Sequence, residues 1–332
     1  MIDYNSVSKT VYSLVWPETQ NLMLKTLQEH ALEMVMRHSC PHNKLQDAIG
    51  PDFAQSWWKW ANVSDEPSSI WSSFYPTNGA SEALREIINE LMETKGTLFV
   101  FEGEYEGYQA IAQGHGIPVV QLSRQDFKEQ WHNIQDQITR KSQFWISQPS
   151  SIDGCYWEGF DDWCNIEHPL LEKWVDLTYI GATPSSFARK FPHLSPSHIT
   201  GCIFSLSKPA GMYYRRIGGC FSSRPIAGLY GNMWFKNIDS IYLGQAFIDN
   251  IELCSIPDKY VKLQHKIIKH FNQDNEPHAL WMPSHVVLLA YANRCPLLEK
   301  NSKDPKRFQR GSSFRVCLTP QLHQLIVGFQ HE

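Results

Sequence analysis

Residues 78–101 read NGASEALREIINELMETKGTLFVF, and the fold turns on the two halves of this stretch. Ala83, Leu84, Ile87, Ile88 and Leu91 recur at helical spacing on one face, and the apolar run TLFVF that follows suits a strand buried on both sides. The alternation continues downstream. YEGYQAIAQGHG (105–116) predicts a helix, IPVVQL (117–122) a strand, FWIS (144–147) a strand after a polar helix, and WVDLTY (174–179) and GCIFSLS (201–207) two more strands. Helices alternating with nearly all-apolar strands predict crossover units, hence an α/β fold with a mostly parallel central sheet flanked by helices. In such sheets ligands bind outside the carboxyl ends of the strands.

The flanks differ. Glu18 to Met36 places Leu22, Leu24, Leu27, Leu32 and Val35 at helical spacing, and SCPHN (39–43) breaks the pattern. The stretch Asp47 to Phe74 carries Trp57, Trp58, Trp60 and Trp71 and has no assignable period; its tryptophans read as core ahead of a pocket wall. Beyond Arg224, DKYVKLQHKIIKHFNQ (258–273) and SHVVLLAYAN (284–293) read as longer helical patterns, and SSFRVCLTP (312–320) as a strand. These features predict a large domain over 52–234 and a smaller α/β domain formed from both termini, 1–51 plus 235–332.

Composition excludes several classes. A chain of 332 residues, 42% of them hydrophobic, can bury a sizeable core, and 30 Lys and Arg against 34 Asp and Glu leave a net charge of -4. That balance gives no footprint for nucleic acid or an anionic membrane. The eight cysteines form no C-x-x-C pair and read as reduced thiols. The N-terminus lacks a signal-peptide pattern, and no apolar run reaches the roughly 18 residues of a membrane span, so the expected location is the cytoplasm. HSCPH, with His38, Cys40 and His42, fits no common zinc spacing, and no metal is expected.

The chemistry concentrates at SLSKPAGMYYRRIGG, Ser205 to Gly219. Lys208 falls at the carboxyl end of a predicted strand, where its amine can form a Schiff base with a carbonyl compound. Seven residues separate it from Arg216, whose planar fork suits phosphate. VDLTY ends the preceding strand with Asp176 and Tyr179, and TNGASEAL opens a helix whose free N–H groups can bind phosphate. EGEYEGY follows TLFVF with Tyr105, and Arg315 lies in the late apolar strand, where a cation needs an anionic partner.

Together these segments resemble the class I/II aminotransferases, fold-type I enzymes dependent on pyridoxal 5'-phosphate. The Ser-x-Ser-Lys, seven residues, Arg-x-Gly spacing matches without a gap, and the likeness runs from Asn78 to about Gly219 and reaches Arg315. It implies an aspartate-aminotransferase-like fold and a homodimer. It assigns Lys208 to carry the cofactor, with Gly79, Ala80, Ser81, Ser205 and Arg216 on the phosphate, Asp176 on the pyridinium nitrogen and Tyr179 on the phenolic oxygen. Tyr105 stacks on the ring, and Arg315 takes the substrate carboxylate. Two departures stand out. Gly103 replaces the usual proline before Tyr105, and SQPSSIDG places Ser151 where the family has an asparagine on the phenolic oxygen. The expected reaction is amino transfer between an L-amino acid and a 2-oxo acid. Elimination, cyclisation or racemisation on the same cofactor is the alternative, and a catalytically silent binding member a more distant one.

Overall fold

The computed structural model describes residues 8–38, 42–63, 71–188, 194, 197–233, 236–273, 280–294 and 305–329. Residues 39–41 of the turn expected at SCPHN, Cys40 among them, and residues 64–70 of the tryptophan-rich stretch lie outside them, while His42 and Asn43 already belong to a helix.

Seven strands form the larger sheet: β1 (Ser73–Thr77), β2 (Leu98–Phe101), β3 (Val119–Leu122), β4 (Ser142–Ser147), β5 (Leu171–Asp176), β6 (Gly201–Ser205) and β7 (Gly218–Ser222). Their spatial order is β1-β7-β6-β5-β4-β2-β3. From β3 to β6 all neighbours are parallel, while β7 runs antiparallel to both β6 and β1. Strands β2, β4 and β6 are buried at every position, which accounts for their unbroken apolar reading. Register brings the ends that matter side by side: Ser147 lies opposite Asp176, and Gly218 lies between Ser205 and Thr77.

The helices described are α1 (Pro17–His38), α2 (His42–Trp60), α3 (Ala80–Thr94), α4 (Glu106–Gly114), α5 (Phe127–Ile134), α6 (Phe160–Cys164), α7 (Ala227–Asn232), α8 (Ile238–Asn250), α9 (Ser255–Phe271) and α10 (Thr319–Phe329). The face of α3 expected to be apolar is the buried one. Only part of the α1 stripe is covered, for Leu24 and Leu32 are exposed. The tryptophan-rich stretch forms α2, with Phe53, Trp57, Trp58 and Trp60 in the core, and Trp57 stacks on Phe204 of β6 at 3.9 Å. Helix α2 runs across the expected boundary at residue 51 and packs on α8.

A second sheet, ordered β10-β11-β9-β8, comprises β8 (Met282–Pro283), β9 (Leu289–Ala292), β10 (Gln309–Arg310) and β11 (Ser313–Cys317), all antiparallel. Here one expectation fails. SHVVLLAYAN is not helical: residues 284–288 turn and 289–292 form β9. Val286 to Ala290 and Ala292 are all fully buried, and a run buried on every side carries no period to tell strand from helix.

Residues 8–14 lie as an irregular strap between the two sheets. Ser8 bridges Cys317, the Ser13 hydroxyl donates to the Ser207 carbonyl, and the Thr319 hydroxyl donates to the Tyr12 carbonyl at 3.0 Å.

Candidate active site

The loops leaving β1, β2, β4, β5 and β6 converge with the strap and β11 on a cavity of about 230 Å³. Ten of the eleven residues singled out in the sequence line it: Ala80, Ser81 and Tyr105; Ser151, Asp176 and Tyr179; Ser205, Lys208 and Arg216; and Arg315. Gly79 sits behind them. Its φ of 76° is left-handed, and a Cβ there would stand 2.9 Å from Arg216 Nη2 and 3.5 Å from Ser205 Oγ. Glycine therefore lets the start of α3 approach the arginine, with the amides of Ala80 and Ser81 opening the helix at the cavity.

Lys208 is half-buried, and its ammonium donates to the Val11 carbonyl of the strap. Burial, helped by the charges of Arg315 and Arg216, lowers its pKa to about 8. Asp176 is buried at the end of β5, where Oδ2 accepts from the Tyr108 hydroxyl at 3.1 Å and Oδ1 from the Thr178 amide at 2.9 Å. These bonds favour its charged form, yet burial outweighs them and holds the carboxyl above its ordinary value. Tyr179 is buried, which lifts its phenol to about 12. Tyr105 is 45% exposed and stands edge-on to Tyr108, with centroids 5.5 Å apart.

Of the three arginines that line the cavity, Arg216 and Arg315 pair with no carboxylate among the described residues. Arg216 adopts a left-handed φ of 51° and lies 5.2 Å from the centre of the Tyr213 ring. Arg315, buried on β11, donates through Nη1 to the Ser151 carbonyl and through Nη2 to the Lys9 carbonyl at 3.3 Å, and its Nε has no partner. A buried guanidinium bonded only to carbonyls is poised for an anion.

The departures from the family pattern acquire reasons. Gly103 has φ 82°, and a Cβ there would lie 2.4 Å from both the Arg310 carbonyl carbon and the Gly311 nitrogen. Proline cannot adopt that φ, and the hairpin tip occupies the space its ring would need. Ser151 lines the cavity, but its hydroxyl lies 2.5 Å from Oε2 of the buried Glu104.

Sequence reasoning missed Arg310, Glu104 and the strap residues Thr10 and Val11. Arg310 lines the cavity and donates to Glu106 at 2.8 Å, with its Nε also unpartnered. It stands on a two-residue strand too short to show a period, five positions before Arg315. The strap contributes backbone carbonyls, which leave no trace in side-chain pattern.

Sheet order, helix placement and the position of the cavity define the architecture of fold-type I pyridoxal-phosphate enzymes, and this chain has that fold. It is similar to the histidinol-phosphate aminotransferase of Clostridium acetobutylicum, at 14% identity and a TM-score of 0.67 over 100% of this chain and 99% of that one. It is also similar to a pyridoxal-phosphate-bound C-S lyase of Staphylococcus hominis, at 11% identity and 0.69 over 96% and 88%. A third likeness is to the L-threonine-O-3-phosphate decarboxylase of Porphyromonas gingivalis, at 13% identity and 0.59 over 97% and 100%. No family model matches the chain, and no curated protein matches it in sequence. Identities this low speak for the fold alone.

Proposed function

We propose that the chain is a pyridoxal 5'-phosphate enzyme that acts at the α-carbon of an amino acid and transfers its amino group to a 2-oxo acid, working as a homodimer. The observation that carries this is the convergence of Lys208, Asp176, Arg216 and the start of α3 on one cavity. The residues present fit the cofactor. Arg216 has no carboxylate, Gly79 leaves room beside it, and Asp176 is a buried carboxyl in want of a cation. Lys208 would hold the aldehyde, Arg216, Ser205 and the Ala80 and Ser81 amides the phosphate, Asp176 the ring nitrogen and Tyr179 the phenolic oxygen, with Tyr105 over the ring.

The cofactor supplies an electron sink for the pair released at Cα. The protein's share is placement and protons. Lys208, with a pKa of about 8, is about one tenth neutral at pH 7, far more than an ordinary lysine, and can take the Cα proton and return it. Asp176 keeps a proton on the ring nitrogen through the charge it would share with it. Arg315 binds the substrate carboxylate, and Arg310, beside it, adds a second guanidinium to the substrate side.

Solved structures of similar fold include an aminotransferase, a C-S lyase and a decarboxylase, so the fold leaves the reaction open. Ser151 in place of asparagine favours keeping elimination as the second reading. Amino acids offered singly to the purified protein separate the two. Transamination bleaches the cofactor's absorbance once per site until a 2-oxo acid restores it. Multiple turnover on one amino acid, with the absorbance retained, overturns it in favour of elimination or racemisation.

A further inference from the structure

Glu104 lies just beneath the cavity and has no role in the assignments above. It is 2% exposed. Its Oε1 accepts from the Ser147 amide at 3.2 Å, and its Oε2 meets the Ser147 hydroxyl at 2.6 Å, the Ser151 hydroxyl at 2.5 Å and the Tyr105 amide at 3.2 Å. The Ser147 hydroxyl donates to Glu104 while its oxygen accepts from the Ser151 amide at 2.6 Å, which engages both its proton and one of its two acceptor sites. The Ser151 hydroxyl is bonded to Glu104 and lines the cavity. When Glu104 is ionised, Ser151 donates down to it. When Glu104 is neutral, its proton goes to Ser151 Oγ, and the Ser151 hydroxyl proton is free to point into the cavity that Ser151 lines.

We propose that Glu104 is a positioning residue that sets the direction in which Ser151 donates: a neutral Glu104 turns the serine proton toward the phenolic oxygen of the bound cofactor, and an ionised one withdraws it. This rests on the cofactor reading above. The surroundings favour the neutral form. Burial raises the carboxyl above its ordinary range against the serine hydrogen bonds. The cation it feels, Arg124, is paired with Asp153. The Tyr108 hydroxyl, whose ionisation Glu104 opposes, is bonded to Asp176. Glu104 thus does through a serine what an asparagine amide would do directly, with a donor that can be switched off.

The test is a double-mutant cycle read by the pH midpoint of the cofactor's visible absorbance, in Glu104→Gln, Ser151→Ala and the double variant, with thermal unfolding confirming that each is folded. A donor to the phenolic oxygen lowers that midpoint. Ser151→Ala, which removes the donor, should raise it by about one unit, a tenfold change, and Glu104→Gln, which mimics the neutral carboxyl, should leave it at the wild-type value. In the Ser151→Ala background Glu104→Gln should again have no effect. A Ser151→Ala midpoint equal to wild type would show that the serine does not donate, and a fall in Glu104→Gln would show an ionised Glu104 in the wild type; each overturns the proposal. A second arm needs no cofactor: in the apoprotein an infrared carboxyl band, absent from Glu104→Gln, should persist above the ordinary carboxylate range, and its loss within that range overturns the proposal. Wild-type protein that binds no pyridoxal phosphate, yet retains this band, refutes the cofactor reading and the role built on it while leaving the buried neutral carboxyl standing.

Discussion

Lys208→Ala is expected to abolish borohydride trapping of pyridoxal phosphate on the chain, checked by peptide mapping. The lysine's environment adds a pH signature. With its pKa lowered to about 8, the apoprotein should capture an aldehyde at a rate that rises through pH 8 and then levels, because only the neutral amine is a nucleophile. A lysine at the ordinary value would still be gaining rate at pH 10. The two cavity arginines without carboxylates, Arg216 and Arg315, should separate by role. Arg216→Ala should weaken cofactor binding by about 1.5 to 3 kcal/mol, roughly ten- to hundredfold, whereas Arg315→Ala should spare the cofactor and raise KM for the amino acid. Equal losses of cofactor affinity would refute that division. Most of these side chains could be found in the sequence because each sits at a fixed offset from a strand end. Glu104 could not, since what marks it is burial beside two serines far along the chain.

The hairpin of β10 and β11 is held against the loop after β2 by Gly103. Gly103→Ala adds a Cβ 2.4 Å from the hairpin backbone at a left-handed φ, so a loss of about 1–3 kcal/mol is expected from strain alone. Because Arg310 and Arg315 ride on that hairpin, KM should rise while the cofactor's absorbance persists; an unchanged KM would show that the hairpin does not set the substrate side. Helix α2 offers a contrast. Trp57 lies against Phe204 in the core, away from the cavity lining. Trp57→Ala should therefore cost about 3–5 kcal/mol of stability and leave the cofactor spectrum unaltered. The parallel strands β2, β4, β5 and β6 were legible because burial on both faces makes apolar runs bounded by helices. Strand β9 was misread for the same reason, its buried run having no helix beside it to disambiguate, and α2 was obscured by side chains buried on more than one face. The strap escaped notice because backbone carbonyls make its contacts.

Taken as a whole, the molecule carries buried acid at its centre, and its stability should show it. Asp176 and Glu104 both have folded pKa values above the unfolded ones. Each therefore favours the folded state fully at pH below the ordinary carboxylate range, and that contribution is lost as pH rises through the raised value. Thermal unfolding of the apoprotein should lose stability over this window, and Asp176→Asn should flatten the decline. Bound cofactor should do likewise, by giving Asp176 a cation. An Asp176→Asn profile parallel to wild type would count against the buried charge. The strap has a consequence in time. Its hydrogen bond from Thr319 to Tyr12 joins residues 307 positions apart, so during synthesis the residues that cover Lys208 emerge that far ahead of the partner segment they dock on. The lysine-bearing turn is made well before the segment that closes over it can dock. A nascent chain stalled after β7 should thus present an uncovered amine to any free aldehyde, so that an aldehyde can be captured before the cavity is closed.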